Sequence, residues 1–462
     1  MRFDEYRRLD ALGLAELVAR REVSAEELMG LAVARLEEAN PKINAVTQQF
    51  APRGGGDGPF AGVPFLLKDL GAQLAGTPTT GGSALFKDAV ATQDSALVRA
   101  YLDAGLSIFG KTNTPEFGLT PVTEPRLFGP SRNPWRLEHT PGGSSGGASA
   151  AVSAGIVPAA HASDGGGSIR VPAHACGLFG MKPSRGRVSF APLGEGWGGA
   201  SMQHALTRSV RDSAALLDVV CRPQTGDPYF LAPPERPFLE EVRREPGRLR
   251  IAFTTQAIAA PGLDPEVEAA VRDAAQLCAS LGHDVEEAAI PGDLQALARA
   301  AGQVIAANTA AMLDAEAERR GRPIEADELE PGTFAMYRSV DISGPAYVRA
   351  IQTVHAVTRQ VSALFETYDV LLLATAGMPA PPIGWLMAEP GAFRDRLFAF
   401  MCNTQLFNNT GQPAMSVPLA WNREGLPIGI QFVAPMGEEA RLFRLAGQLE
   451  QARPWFDRVP PL

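Results

Sequence analysis

The sequence lacks what would mark a secreted, membrane-spanning or nucleic-acid-binding chain. Its four cysteines, Cys176, Cys221, Cys278 and Cys402, are scattered and form no C-x-x-C pair. Neither a disulfide framework nor a thiolate zinc site is therefore indicated. No stretch reaches 18 uninterrupted apolar residues, and Met1–Arg8 leads into no apolar segment, so neither a spanning helix nor a secretory leader is expected. Positive charge is outnumbered: 42 Lys and Arg stand against 51 Asp and Glu, a net charge of -9. That argues against a broad basic surface for nucleic acid or anionic membrane. A cytoplasmic location is the expectation.

Lysine is scarcer still. Only Lys42, Lys68, Lys87, Lys111 and Lys182 occur, and none follows Lys182. Arginine stays protonated at any working pH, whereas a buried lysine can lose its proton and become a base. A lysine in an apolar setting is thus a candidate for chemistry.

What is present is a globular composition. The 462 residues are 45% hydrophobic and 20% charged, enough for one large domain or two ordinary ones with a sizeable core. Ser24 and Glu27 form a capping box ahead of a helix carrying Leu28, Leu31, Ala32 and Leu36, with Asn40-Pro41 expected to stop it. Residues 51–59 read as a loop. The apolar runs 63–67 and 106–109 flank a helical pattern over 94–104, which is α/β alternation. A Pro-rich interval at 222–246 precedes strand patterns at 249–253 and 283–290 around a helix at 264–281. Long helices are expected at 294–319 and 345–368, then strands at 369–373 and 429–433 and a closing helix at 438–452. No repeat of fixed period is visible. The expected architecture is an α/β unit with a mixed sheet and helical insertions.

Two glycine motifs mislead. Gly105 to Thr112 matches G-x-x-x-x-G-K-[ST], but its four intervening residues, Leu-Ser-Ile-Phe, read as a strand, and Pro115 falls where a phosphate-binding helix should be starting. Gly142 to Gly146 matches G-x-S-x-G, but no apolar strand feeds it, and none of the six histidines, His161, His174 and His204 among them, stands in a telling context. A third signal is stronger. Serines sit in glycine turns at 142–147 and 163–168, at the two ends of a small-residue segment able to pack closely on a sheet. Successive glycines let backbone N–H groups converge as an oxyanion hole requires. No His/Asp/Glu cluster has metal-ligand spacing and HExxH is absent, so no metal or cofactor is expected.

These segments together resemble the amidase-signature family of serine amidohydrolases. The likeness rests on Gly62–Asp69, Gly110–Phe117, the GGSSGG and SDGGGSIRVP runs, Gly177–Val188, Gly411–Pro418 and Gly425–Gly429, and runs nearly end to end. Within the family, Gly194–Trp197 and Leu206–Asp212 look most similar to the branch of the 6-aminohexanoate cyclic-dimer hydrolases. The resemblance implies one amidase-signature domain over 1–462, a mixed twisted sheet with helices on both faces. N-terminal helices would occupy 1–50, the signature core about 60–220, a helical variable region about 250–400, and closing strands and helix about 405–462.

It also implies a Ser-cisSer-Lys triad: Ser168 as nucleophile, Ser144 behind a cis peptide bond as proton relay, and Lys68 as base. The amides of Gly165, Gly166, Gly167 and Ser168 would cradle the oxyanion, and Asp164, Arg170 and Ser145 would brace the loop. The implied reaction is hydrolysis of a small linear or cyclic amide through an acyl-enzyme. Alternatives are ester or urethane cleavage by the same triad, or a glutaminase like the amidotransferase subunits. The expected partner is a small-molecule amide, with no nucleic acid and no membrane, in a monomer or homodimer. The chemistry stands without the family: a serine needs a base, and burial after Phe65-Leu66-Leu67 would depress the Lys68 pKa. Three departures stand beside the likeness. The Gly54–Gly56 loop replaces a further helix, Ser163-Asp164 replaces Thr-Asp, and Val171 stands where amidotransferase subunits usually carry Gln.

Overall fold

Eleven strands form one sheet in the computed structural model, which describes every residue but Ala259 and, of Pro390, only the backbone. In chain order they are β1 (Val46–Gly54), β2 (Pro64–Lys68), β3 (Ser107–Thr112), β4 (Ala159–Asp164), β5 (Phe179–Lys182), β6 (Met202–Thr207), β7 (Arg250–Phe253), β8 (Asp284–Glu287), β9 (Val370–Ala374), β10 (Ala414–Trp421) and β11 (Pro427–Val433). Across the sheet they run β1-β3-β2-β4-β6-β5-β10-β11-β9-β7-β8. β2 is parallel to β3 and β4, and β7 to β8 and β9, while the other pairs are antiparallel. The sheet is mixed, as expected.

Central strands are covered on both faces, which is why they read as continuous apolar runs. Along β2, Phe65 and Leu67 enter a core with Val98 and Tyr101 of the helix Ala96–Asp103 and Leu217 of the helix Val210–Val220. Leu66 points the other way, to Leu36 of the helix Ala25–Ile43 and Val152 of the helix Gly146–Ser153. Period-two alternation produces this division. Leu66 is fully buried, so truncating it to Ala costs about 2–5 kcal/mol. A third core joins β9 to the helices Leu294–Arg320 and Gly344–Ser362 through Leu371, Leu373, Leu297 and Val361.

Two expectations change. The helix Ala25–Ile43 runs through Pro41 and ends at Asn44 in the left-handed region. Proline in a last turn removes only one donor there, and Asn tolerates the αL cap. Residues 51–54, expected as loop, belong to β1, an edge strand hydrogen-bonded to β3. Its side chains are mostly exposed, so no apolar alternation reveals it. The Gly-x4-Gly-Lys-Thr match is largely strand β3: Lys111 and Thr112 are buried within it. No loop there can gather amides around a phosphate.

Candidate active site

Parallel pairing decides where the site lies. Because β2 and β4 point the same way, their C-terminal ends, carrying Lys68 and Ser163-Asp164, emerge together. That edge is where open α/β sheets bind ligands. The nucleophile-loop candidates Gly165–Ser168 follow β4 directly and lead into the helix Arg170–Cys176.

Lys68 is fully buried. Its Nζ donates to Ser144 Oγ at 2.7 Å and to Ser163 Oγ at 2.9 Å. Burial lowers its pKa to about 7, against the opposing charge of Asp164. Ser144 follows a cis Gly143–Ser144 bond and stands one residue before Ser145, the N-cap of the helix Gly146–Ser153. Its surroundings are tight. A Cβ on Gly118 would stand 3.0 Å from Ser144 Oγ, and one on Gly143 would stand 2.7 Å from the Pro121 and Val122 backbone. Ser168 is half-buried in the loop. Lys68 and Ser144 are thus joined, and Ser144 and Ser168 share no hydrogen bond among the described residues. Ser145 Oγ, buried, donates to the Ser163 carbonyl at 3.2 Å and ties the two serine turns together.

Asp164 organises the loop. Its Oδ1 accepts from Gly167 N at 2.7 Å and its Oδ2 from Ile169 N at 3.1 Å. Arg170 grips both oxygens through Nη2 and Nε. The remaining Arg170 donors reach Asn408 Oδ1, Thr404 O and Gln431 Oε1 at 2.6, 2.9 and 2.6 Å. All five guanidinium N–H groups are thereby used. The Arg170 charge holds the Asp164 carboxyl far below its ordinary range despite burial.

The four amides expected to form an oxyanion hole differ in their partners. The Gly167 amide donates to Asp164, while Gly165, Gly166 and Ser168 have no backbone acceptors among the described residues. The loop is also walled closely. A Cβ on Gly165 would meet the Trp197 ring at 2.6 Å, and one on Gly167 would overlap Thr404 Oγ1. Trp197 itself adopts φ 55°, in the left-handed region.

Sequence reasoning missed Thr404, Asn408 and Gln431. Asn408 Nδ2 donates to Asp164 O and Oδ1 and to Ala200 O, and Thr404 Oγ1 to Gly166 O. The signal for Thr404 and Asn408 was a polar Asn-Thr cluster, Asn403–Thr410, in apolar surroundings, whereas Gln431 stands alone in the apolar run 428–433. Ser163 was noticed as a variant residue but given no place beside Lys68.

Lys111 and Lys182 are buried as well. Lys111 Nζ binds Pro78 O and Thr79 Oγ1, and Lys182 Nζ binds Gln412 O at 2.6 Å and Pro183 O at 3.0 Å. Both hold backbone in place. Three histidines are packed: His174 accepts from Gly429 N, His204 meets Ser213 Oγ, and His161 accepts from Lys68 N. Burial lowers all three into the neutral form. Among the described residues no three His, Cys, Asp or Glu side chains gather as a metal site requires, and no helix is long and apolar enough to cross a membrane.

The chain as a whole matches a known family. The amidase family profile matches residues 14–443. The 6-aminohexanoate-cyclic-dimer hydrolase of Paenarthrobacter ureafaciens is 38% identical over 476 positions, covering 98% of this chain and 96% of that one. A solved structure of 6-aminohexanoate cyclic dimer hydrolase complexed with substrate gives a TM-score of 0.92 at 36% identity, covering 98% and 99% of the two chains. A bacterial aryl acylamidase of the amidase signature family gives 0.86 at 28% identity, covering 97% and 98%. The chain belongs to the amidase-signature family. It is a hydrolase acting on carbon–nitrogen bonds of amides other than peptide bonds.

Proposed function

We propose that this enzyme hydrolyses a small linear or cyclic amide through an acyl-enzyme on Ser168, with Ser144 as proton relay and Lys68 as base. The observation that carries the reading is the buried Lys68 amine, lowered to about 7 and 2.7 Å from Ser144 Oγ. An amine of that pKa is neutral in a useful fraction at neutral pH and can take a proton. Ser144 both donates and accepts, so it can receive the Ser168 proton while passing its own to Lys68.

Attack by Ser168 Oγ on the carbonyl carbon forms a tetrahedral oxyanion. The unengaged amides of Gly165, Gly166 and Ser168 are the donors for it. Collapse breaks the C–N bond, and the proton held by Lys68 returns through Ser144 to the leaving amine. Water then repeats the sequence on the acyl-serine. The relatives named as cyclic-dimer hydrolases support an aminohexanoate-type amide as the first substrate to try.

The test is a panel of aliphatic, aryl and cyclic amides, with matching esters and carbamates, assayed beside fluorophosphonate labelling. Ser168→Ala is expected to lose the covalent adduct and about 10⁶-fold in turnover while remaining folded. Near wild-type turnover in Ser168→Ala removes the assignment. Faster cleavage of carbamates or esters than of any amide would move the substrate class but not the triad.

A further inference from the structure

Beneath Lys68 the sheet is joined by a side chain. β2 and β4 are parallel neighbours whose sole aligned pair is Leu66 with Ala160. Two residues on, the Lys68 N–H donates to His161 Nδ1 at 3.2 Å. His161 is fully buried. A ring nitrogen that accepts carries no proton, so the neutral imidazole holds its proton on Nε2.

Among the described residues neither that Nε2 nor the buried Gln203 Oε1 makes a hydrogen bond of full geometry, although the Gln203 side chain acts on the His161 ring. Gln203 lies on β6 opposite Ser163, and Ser163 is two residues from His161 on β4. Directly opposed residues and i, i+2 neighbours share a sheet face. A donor and an acceptor, neither fully bonded, therefore stand on the same face of adjacent strands. Strand β4 holds Lys68 at two points: its main chain through His161 and its amine through Ser163.

We propose that His161, steadied from behind by Gln203, is a positioning residue that seats Lys68 so that its amine is held at Ser144. This rests on the reading of Lys68 as base. The seat must be neutral and rigid. A cation in contact with the Lys68 backbone would add charge to the site, and a loose backbone would let the amine turn toward water. The titratable groups facing His161 are Lys68 on β2, His204 on β6, Lys111 on β3 and Tyr101 on the helix Ala96–Asp103, whose ring centroid is 6.3 Å away. Burial, then the Lys68 charge, pushes His161 down to about 3, so the ring does not titrate across the working range. Burial likewise pushes the Tyr101 phenol up.

The experiment is kcat/KM against pH for wild type, His161→Asn, His161→Leu and Gln203→Leu on one amide, with melting temperatures alongside. Asn places an acceptor oxygen near the Nδ1 position, and its rising limb is expected to coincide with that of wild type. Leu removes the acceptor. Its limb is expected to move toward alkaline pH by about one unit, roughly a fivefold loss at pH 7, recovered at higher pH. A uniform loss at all pH values, or a lower melting temperature with the limb unmoved, overturns the positioning role. Where His161→Leu does not fold, Gln203→Leu decides: a smaller shift in the same direction is expected, and an unmoved limb overturns the proposal. Failure of the underlying reading looks different, because Lys68→Arg would then keep its activity.

Discussion

Asp164 and Arg170 form an ion pair with no solvent on either side. Arg170 Nη2 lies 2.9 Å from Asp164 Oδ1 and Nε lies 3.0 Å from Oδ2, and both side chains are fully buried. A pair of this kind contributes little net stability when intact, but half of it alone is costly.

Asp164→Asn strands the Arg170 charge in the interior. It is expected to lower the unfolding free energy by about 3–5 kcal/mol, read from urea melts. The Asp164 charge also raises the Lys68 pKa, so the rising limb of kcat/KM in Asp164→Asn is expected to move toward acid. A variant as stable as wild type would show that the pair does not brace the loop.

With Lys68 as base, kcat/KM rises with pH through about 7, because only the neutral amine accepts a proton. Lys68→Arg keeps the positive charge but cannot release its proton. It is expected to lose about 10²–10⁴-fold in turnover, nearly as much as Lys68→Ala. A salt-bridging lysine predicts the opposite, with Arg largely substituting and the profile unchanged.

The same shift sets a pH dependence of stability. The folded-state pKa of Lys68, about 7, lies below the 10.5 of a free lysine, so between these values the unfolded chain binds the extra proton. Stability from this group therefore rises with pH across that window, and below it the folded state bears the whole cost of burying the ammonium. Relative to Lys68→Met, wild type is expected to gain ~2 kcal/mol between pH 7 and 9. Parallel denaturation curves at the two pH values check it. A constant difference between the two proteins contradicts a depressed Lys68.

Gly118→Ala tests the space around the relay serine. Gly118 has φ 72°, and an added Cβ would stand 2.9 Å from Leu70 Cδ2 and 3.0 Å from Ser144 Oγ. The left-handed backbone costs a side chain about 1–2 kcal/mol, a modest loss on melting. Activity is expected to fall further than that figure accounts for, because the Ser144 hydroxyl is displaced from Lys68. Full activity in a measurably destabilised variant would separate Gly118 from the site.

How much of this was legible beforehand follows from where each signal lies along the chain. β2 and β3 show as apolar runs because both faces are buried, and the Lys68 setting follows from Phe65-Leu66-Leu67. β1 does not show, because its exposed side chains leave only backbone pairing to define it. The turns at 142–147 and 163–168 are local, so their serines could be picked out. The bracing of Arg170 by Thr404, Asn408 and Gln431 spans 234 to 261 residues of chain, and nothing local marks an interaction at that separation. The engagement of Gly167 by Asp164 is only three residues long. It was still missed, because one loop composition serves either an anion or a neighbouring carboxylate.

Three of the five lysines lie wholly inside the protein, and only Lys42 and Lys87 are exposed. Amine-directed reagents therefore see a folded molecule with two lysine handles, far apart in the chain. A mild acylating agent should act on those two side chains while the fold is intact. Adducts at Lys68, Lys111 and Lys182 would then appear together only as the interior opens. The scarcity of this one residue type makes the protein a reporter of its own unfolding, readable by peptide mass without any introduced probe.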